Sequence, residues 1–339
     1  MKTYLDKNVY EAALERIAYC FQEFDNVLVA FSGGKDSGVL LNLCYNYADE
    51  HGLLDKLTMY HLDYEAQYQM TTEYVTRTFL EQFPGIRKMW YCVPIKAQSA
   101  CALGEPYWTP WDAAKKKLWV RAMPENPYVV HEGNLDVPFR HGMVDYEFQD
   151  KLSRHFAKKR GTTAVMVGLR ADESLNRYAA VARGKKRRSY EGRKWITQTS
   201  AVTANVYPLY DWRVSDIWTA TARFGFDYNR LYDLLYQAGL TAGQMRVASP
   251  FNDCAQESLK LYKVIDPSNW ARMIGRVNGV NFTGLYGGTT AMGWKTIKLP
   301  PGHTWKSYYE FLLSTMDART AAHYNNILEK SKRYWMQGG

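Results

Sequence analysis

The chain has 339 residues, of which 46% are hydrophobic and 23% charged, proportions that are ordinary for a folded globular protein. No run approaches the roughly 18 apolar residues that a membrane-spanning helix needs, and the first residues lack the apolar core of a secretion signal. The net charge of +9 is concentrated in residues 183–194, so the protein is not uniformly basic. We expect a cytoplasmic protein without membrane association, in which the five cysteines form no disulfides.

The predicted elements alternate between helices and strands through the first 93 residues. Apolar spacing predicts helices over about 6–24, 37–50 and 69–83, and apolar runs predict strands over 26–31, 56–63 and 86–93. Strand–helix–strand alternation at this spacing is typical of parallel strands joined by right-handed crossovers. The sequence therefore predicts an α/β fold with a doubly wound, mainly parallel sheet.

From about residue 94 to 145 this alternation is interrupted by a segment rich in proline and tryptophan, which predicts an insertion with one short helix near 112–120. A helix over 146–159, a strand over 163–169 and a helix over 172–181 resume the pattern. An extended stretch over 195–206 and helices over 214–224 and 229–237 follow. The pattern is mainly helical from 250 onward, with a last helix over 305–334. We expect a first domain over 1–245 and a mainly helical region over 246–339.

The most informative motif lies directly after the first predicted strand and reads Ser32-Gly33-Gly34-Lys35-Asp36-Ser37. We expect a helix to begin at or just after Ser37, so that backbone amides at its N-terminus face outward. Glycines allow a phosphate chain to approach the backbone closely, and the motif therefore predicts a phosphate site. It is not a Walker A loop, because Val29 and Asp36 stand where that motif requires Gly and Ser or Thr.

A second motif ends the strand over 163–169 and reads Gly168-Leu169-Arg170-Ala171-Asp172-Glu173-Ser174-Leu175-Asn176-Arg177. Ligands of doubly wound sheets bind beyond the carboxyl ends of the strands, where both motifs lie. The guanidinium groups of Arg170 and Arg177 suit phosphate or sulfate oxygens. A simple ion pair between Glu173 and Arg177, one helical turn apart, is the alternative explanation for those two residues.

A basic segment follows the second motif. Its candidate ligands for DNA or RNA phosphates are Lys185, Lys186, Arg187, Arg188 and Arg193, with nearby aromatic residues that could stack on bases. The same segment could instead form a lid over a bound nucleotide, or a solvated loop without a ligand.

The two motifs together resemble those of a known family. The first resembles the PP-loop of the ATP pyrophosphatase superfamily, and the second resembles the Gly-x-Arg-x-x-Glu-Ser-x-x-Arg signature of phosphoadenosine-phosphosulfate (PAPS) reductases. Blocks over 207–212, 216–218 and 227–232 resemble further blocks of these reductases in the same order. The resemblance covers residues 24–245 and implies the fold of the adenine nucleotide alpha-hydrolases.

The resemblance also implies a ligand and a set of site residues. The ligand would be ATP or PAPS, with Mg²⁺ held by Asp36 or Asp63, the latter standing where the family carries an Asp at a strand end. Lys35, Asp36 and Arg170 are the expected catalytic residues. The expected nucleotide- and phosphate-binding residues are Ser32, Gly33, Gly34, Lys35, Asp36, Ser37, Asp63, Gly168, Arg170, Glu173, Ser174 and Arg177.

The sequence departs from the reductases in its cysteines. Those enzymes carry the attacking thiolate on a C-terminal Cys-Gly segment, whereas residues 239–246 contain no cysteine and the only later thiol is Cys254. We also expect no iron–sulfur cluster. The sequence therefore favours cleavage of ATP between its α- and β-phosphates, and the resemblance implies a role in nucleic-acid modification or phage defence. Two alternatives are a PAPS reductase that uses Cys254 and a nucleotide-sensing subunit without turnover that acts with a ParB-like DNA-binding partner.

Overall fold

The computed structural model describes residues 6–102, 104–182, 189–287, 289 and 298–336. The chain divides into two compact units, residues 1–288 and 289–339. The predicted domain boundary at residue 245 stays a prediction. None of the described helices is both long and apolar enough to cross a membrane.

The strands of the described residues are β1 (Asn26–Ala30), β2 (Leu57–Leu62), β3 (Arg87–Cys92), β4 (Ala97–Gln98), β5 (Tyr107–Trp108), β6 (Val129–His131), β7 (Thr163–Val167), β8 (Ser189–Tyr190), β9 (Arg193–Gln198) and β10 (Thr203–Val206). The helices of the first unit are α1 (Val9–Glu23), α2 (Lys35–Glu50), α3 (Gln69–Glu81), α4 (Asp145–Arg160), α5 (Leu175–Ala182), α6 (Val214–Phe224), α7 (Leu231–Gln237), α8 (Gln256–Leu259), α9 (Tyr262–Ile265), α10 (Pro267–Arg276) and α11 (Val280–Tyr286). The second unit contains α12 (Trp305–Ser314) and α13 (Ala318–Met336).

Eight strands of the first unit form one sheet in the order β6-β3-β2-β1-β7-β10-β9-β8. The first six strands in this order, which end with β10, all pair in parallel. Strand β9 pairs antiparallel with β10, and β8 pairs antiparallel with β9. The register places Ala30 beside both Tyr60 and Val167, so the carboxyl ends of β1, β2 and β7 meet at one edge. The predicted mainly parallel α/β fold is confirmed.

The central strand β1 is apolar along its length because helices cover both faces of the sheet. Val27 and Val29 pack in one core cluster with residues of α1 and α2, such as Ile17. Leu28 points to the opposite face and packs in a second cluster with Phe148 of α4. This two-sided burial fixes the end of β1, and with it the start of the PP-loop.

The observed secondary structure differs in detail from the prediction at three places. The insertion contributes a strand to the main sheet, since β6 pairs with β3, and its short helix is a 3₁₀ turn over Ala113–Leu118. Three residues are too few to show the alternation that identifies a strand. The extended stretch is a hairpin of β9 and β10. The last helix is two helices, because Asp317 accepts hydrogen bonds from the amides of Arg319 and Thr320 and so begins a new one.

Candidate nucleotide site

The PP-loop is a tight turn between β1 and α2. Helix α2 begins at Lys35, two residues earlier than expected. Gly33 has a left-handed φ of 76°, and a β-carbon there would lie 2.9 Å from the side chain of Val75. Gly34 is the N-cap residue and provides no side-chain cap. The N-cap residue therefore contributes no capping side chain, and the N-terminal dipole of the helix faces the loop.

The two serines of the loop stabilise its shape from within. The Ser37 hydroxyl accepts a hydrogen bond from the Ser32 amide at 3.2 Å and donates one to the Gly34 carbonyl at 3.0 Å. The Ser32 hydroxyl lies 3.1 Å from that of Ser37. Ser37 is buried, whereas Ser32 is exposed and remains accessible to a ligand.

The structure brings the two sequence motifs together at the carboxyl edge of the sheet. A β-carbon on Gly168 would lie 3.0 Å from the backbone of Asp36 and Ser37, so glycine is required where β7 meets α2. Arg170 donates through Nε to one oxygen of Asp36, and Lys35 donates to the other at 2.8 Å. Arg170 is buried, so the loop and the second motif form one charged cluster.

Asp36 and Arg170 of this cluster each stabilise the ionised form of the other. Burial opposes ionisation of Asp36, but the neighbouring Lys35 and Arg170 outweigh it and hold the pKa of the carboxyl below its ordinary value. For Arg170, burial alone would lower the pKa, and the carboxylates of Asp36 and Glu173 raise it instead. Asp36 and Arg170 are therefore both charged at neutral pH.

Glu173 is shared by three arginines. Its side chain is 7% exposed and lies 3.4 Å from Arg170, 3.5 Å from Arg246 and within ion-pair distance of Arg177. The Ser174 hydroxyl accepts a hydrogen bond from the Arg177 amide at 3.2 Å, just before α5. The ion pair between Glu173 and Arg177, which was the alternative explanation for these two residues, is therefore present alongside the contacts of Glu173 to Arg170 and Arg246. We refer to Lys35, Asp36, Arg170, Glu173 and Arg177 as the PP-loop cluster.

Two residues that position the loop were not among the predicted site residues. Asn229 is fully buried and donates to the Gly33 carbonyl at 3.3 Å and to the Thr71 hydroxyl at 2.9 Å. The Tyr232 hydroxyl accepts from the Lys35 amide at 3.2 Å, and the Lys35 ammonium lies 5.4 Å from the centre of its ring. Burial raises the pKa of Tyr232, which keeps the phenol neutral. The signal was the block over 227–232, which the resemblance identified without assigning its role.

Asp63 belongs to a different cluster, beyond the end of β2. Its carboxylate is fully buried and accepts hydrogen bonds from Arg121, from the Trp90 indole at 2.7 Å and from the Glu65 amide at 2.8 Å. Burial opposes its ionisation, but Arg121 outweighs this effect and lowers the pKa of Asp63. Both carboxylate oxygens of Asp63 therefore have donors from the protein itself.

Glu65 completes this second cluster. It is also fully buried, and its carboxylate accepts two hydrogen bonds from Arg276 of α10, at 2.8 and 2.9 Å. The backbone amides of Trp111 and Val120 donate to the same carboxylate at 2.7 and 3.0 Å. We refer to Asp63, Glu65, Arg121 and Arg276 as the β2-end cluster. It connects β2, the insertion and α10, and sequence reasoning did not find Glu65 or Arg276.

The carboxylates predicted to hold Mg²⁺ do not fit a protein-bound metal site as they are arranged. Both oxygens of Asp36 accept from Lys35 and Arg170, and both oxygens of Asp63 accept from Arg121. Among the described residues, no group of three or more His, Cys, Asp or Glu side chains could hold a metal ion. We therefore derive no step through a resident metal.

The remaining candidate site residues either make none of the described contacts to the PP-loop cluster or lie outside the described residues. Lys185, Lys186, Arg187 and Arg188 lie outside the described residues. Arg193 stacks on Tyr19, 4.0 Å from the ring centre, and pairs with Glu191 at 2.7 Å. Cys254 is an exposed free cysteine, whereas Cys92 and Cys101 are buried, and burial raises the pKa of both thiols.

A cavity of about 1130 Å³ opens beside the ends of β3 and β6. Trp119, Arg121, His131 and Arg272 contribute to its lining, and no residue of the PP-loop does. We place the candidate site at the PP-loop rather than in this cavity, because the loop combines a helix N-terminus with converging cations.

Comparison with solved structures finds similar chains, but with low TM-scores and low sequence identity. The phosphoadenylyl-sulfate reductase of Candida auris, in a phosphate complex, is 15% identical, with a TM-score of 0.37, and the match covers 69% of this chain and 93% of that one. The FMN adenylyltransferase of Candida glabrata, in complex with FAD and inorganic pyrophosphate, is 14% identical, with a TM-score of 0.37, and the match covers 68% and 64% of the two chains.

Comparison at the level of sequence is more decisive. The uncharacterized protein YbdN of Escherichia coli K12 is 35% identical over 340 residues, which cover 99% of this chain and 82% of YbdN. A domain of unknown function, DUF3440, matches residues 239–339. The phosphoadenosine phosphosulfate reductase domain matches residues 26–238, and the chain therefore belongs to the family of proteins that carry this domain.

Proposed function

We propose that the protein binds ATP at the PP-loop and cleaves it between the α- and β-phosphates. One observation carries the proposal: Lys35 and Arg170 converge on the start of α2, a helix whose N-cap residue contributes no capping side chain, in a member of this family. Backbone amides and paired cations of this kind suit a phosphate chain.

In the proposed reaction a nucleophile attacks the α-phosphorus and forms a new bond to it. The bond from the α-phosphorus to the bridging oxygen breaks, and its electron pair leaves with pyrophosphate. Lys35, Arg170 and Arg177 stabilise the charge that develops on the leaving group. A divalent ion would arrive with ATP as part of the substrate. With water as nucleophile the second product is AMP, and with another acceptor it is an adenylylated product.

We further propose that the acceptor is a nucleic acid or a partner protein, in nucleic-acid modification or phage defence. A ParB-like DNA-binding protein is one candidate partner. The contacts of Cys254 support phosphate chemistry over thiol chemistry. Cys254 is exposed within the 3₁₀ turn Asp253–Ala255, and none of its described hydrogen bonds joins it to the PP-loop cluster.

The proposal is tested by incubating the full chain with labelled ATP and Mg²⁺, with and without DNA, and separating the products. We expect AMP or an adenylylated acceptor together with pyrophosphate. Lys35→Ala should abolish the products, whereas Lys306→Ala, at an exposed lysine of α12, should not. A parallel incubation with PAPS and a thiol donor measures sulfite. Sulfite that disappears with Cys254→Ser would contradict the proposal, and nucleotide binding without any product would favour a sensor.

A further inference from the structure

Arg246 is a partly buried cation with one described ion-pair partner. Its side chain is 24% exposed, and its nearest charged partner is Glu173, at 3.5 Å. Its Nε is out of contact with solvent and has no acceptor. A guanidinium carries five N–H donors, and within the described part of the chain those of Arg246 make no hydrogen bond.

The backbone on either side of Arg246 is fixed beside the PP-loop. Met245 and Val247 are 6% and 7% exposed and pack in one core cluster with Tyr232, whose hydroxyl binds the Lys35 amide. A methyl group of Val247 lies 3.6 Å from the position that a β-carbon on Gly34 would occupy. The position of Arg246 therefore follows from packing against the loop rather than from its own polar contacts.

Glu173 cannot satisfy this arginine. The same carboxylate already pairs with Arg170 and Arg177, and although Arg170 also pairs with Asp36 and Asp172, Arg246 has Glu173 as its one described ion-pair partner. Burying a cation without hydrogen-bond acceptors is unfavourable, and a protein tolerates it where a ligand supplies the missing acceptors. An anion with several oxygens would supply such acceptors.

We propose that Arg246 binds the phosphate chain of the nucleotide held by the PP-loop. The inference rests on the nucleotide binding proposed above and adds a residue from the matched domain of unknown function to that site. This domain would then contribute directly to ligand binding through its first residues. Arg246 is a phosphate-binding residue in this scheme, with no covalent step of its own.

The test is calorimetric titration of the full chain with ATP and, separately, with inorganic pyrophosphate. We expect Arg246→Met to weaken the binding of both by about tenfold or more, the size of a lost charge-assisted hydrogen bond. Arg246→Lys should recover part of the affinity. Arg272→Met is the matched control. Arg272 is an exposed arginine of α10, so this variant should bind both ligands as the wild type does.

Thermal unfolding separates a binding role from a structural one. Without ligand, Arg246→Met should unfold at the wild-type temperature or above it, because it removes an unsatisfied, partly buried charge. The increase in unfolding temperature that ATP produces should be smaller in the variant. Unchanged ATP and pyrophosphate affinities in a folded Arg246→Met protein would overturn this inference alone. A wild-type protein that binds neither ligand would overturn the proposed function as well.

Discussion

The PP-loop cluster and the β2-end cluster both join carboxylates to cations, yet they differ in how completely they are paired. In the β2-end cluster, Asp63 and Glu65 are fully buried, and each carboxylate accepts hydrogen bonds from an arginine and from other protein donors. In the PP-loop cluster, Glu173 pairs with Arg170 and Arg177 and also with Arg246 outside the cluster, and among the described residues one of its oxygens and the Nε of Arg246 have no hydrogen-bond partner.

This difference separates an arrangement that holds the fold together from one suited to a ligand. In the β2-end cluster every oxygen of Asp63 and Glu65 has a donor from the protein, although the Nε of Arg121 has no acceptor. Its carboxylates therefore have no capacity for another donor, and loss of the cluster leaves charges uncompensated in the interior. An undersatisfied cluster beside a helix N-terminus gains from a polyanion. Variants of the β2-end cluster should therefore affect stability most, and variants of the PP-loop cluster should affect binding and activity most.

The largest expected effect is in the β2-end cluster. Glu65→Ala leaves Arg276 buried without its partner, and we expect it to lower the free energy of unfolding by about 3–5 kcal/mol. Denaturant unfolding measures this change. Glu147→Ala is the control, because its pair with Arg140 is exposed and should contribute about 0.2–1 kcal/mol. A Glu65→Ala protein as stable as the control variant would show that the cluster is not structural.

The next effect is on catalysis. Arg170→Ala removes a buried cation from the PP-loop cluster, and we expect ATP cleavage to slow by about 100-fold or more, the cost of losing one transition-state donor. Steady-state kinetics with ATP measure the rate, and denaturant unfolding of the same variant shows how much stability is lost. Wild-type kinetics in Arg170→Ala would contradict the assignment of this residue.

A smaller effect is expected where the two motifs meet. Gly168→Ala places a methyl group 3.0 Å from the backbone of Asp36 and Ser37, and we expect a loss of about 1–3 kcal/mol of stability. Gly275→Ala in α10 is a control of opposite sign, because nothing lies within 4 Å and alanine favours a helix by about 0.5–1 kcal/mol. Equal unfolding midpoints for the two variants would contradict the close contact.

The smallest effect is a pH dependence. The folded-state pKa of Asp36 is lowered, so its ion pairs stabilise the protein above the ordinary carboxyl pKa of about 4 and are lost as the pH falls through the folded value. The wild type should therefore lose more stability than Asp36→Asn between pH 6 and pH 3. Unfolding curves across this range measure the difference, and parallel curves for the two proteins would contradict it.

Much of the fold could be predicted from the sequence because it depends on local patterns. The buried run Val27–Val29 identified β1, and the alternation of elements identified the sheet. The prediction failed where the sequence pattern of an element was short or continued into the next element. Strand β6 has three residues and depends on its pairing with β3. The break between α12 and α13 depends on Asp317, one capping residue within a continuous helical pattern.

The candidate site was partly predictable for the same reason. The glycines and cations of the two motifs lie in contiguous runs, so Gly33, Lys35 and Arg170 could be proposed directly. Asn229 contacts the loop across 196 residues of sequence, and Arg276 contacts Glu65 across 211. Contacts at such separations depend on the packing of the whole unit, which one sequence does not reveal.

The most direct test of the central claim is a crystal structure with an ATP analogue that carries a methylene group between its α- and β-phosphates. We predict that phosphate oxygens lie within hydrogen-bond distance of the PP-loop backbone and of Lys35 and Arg170. A nucleotide bound instead in the cavity beside Trp119 and Arg272, with no phosphate at the PP-loop, would contradict the account.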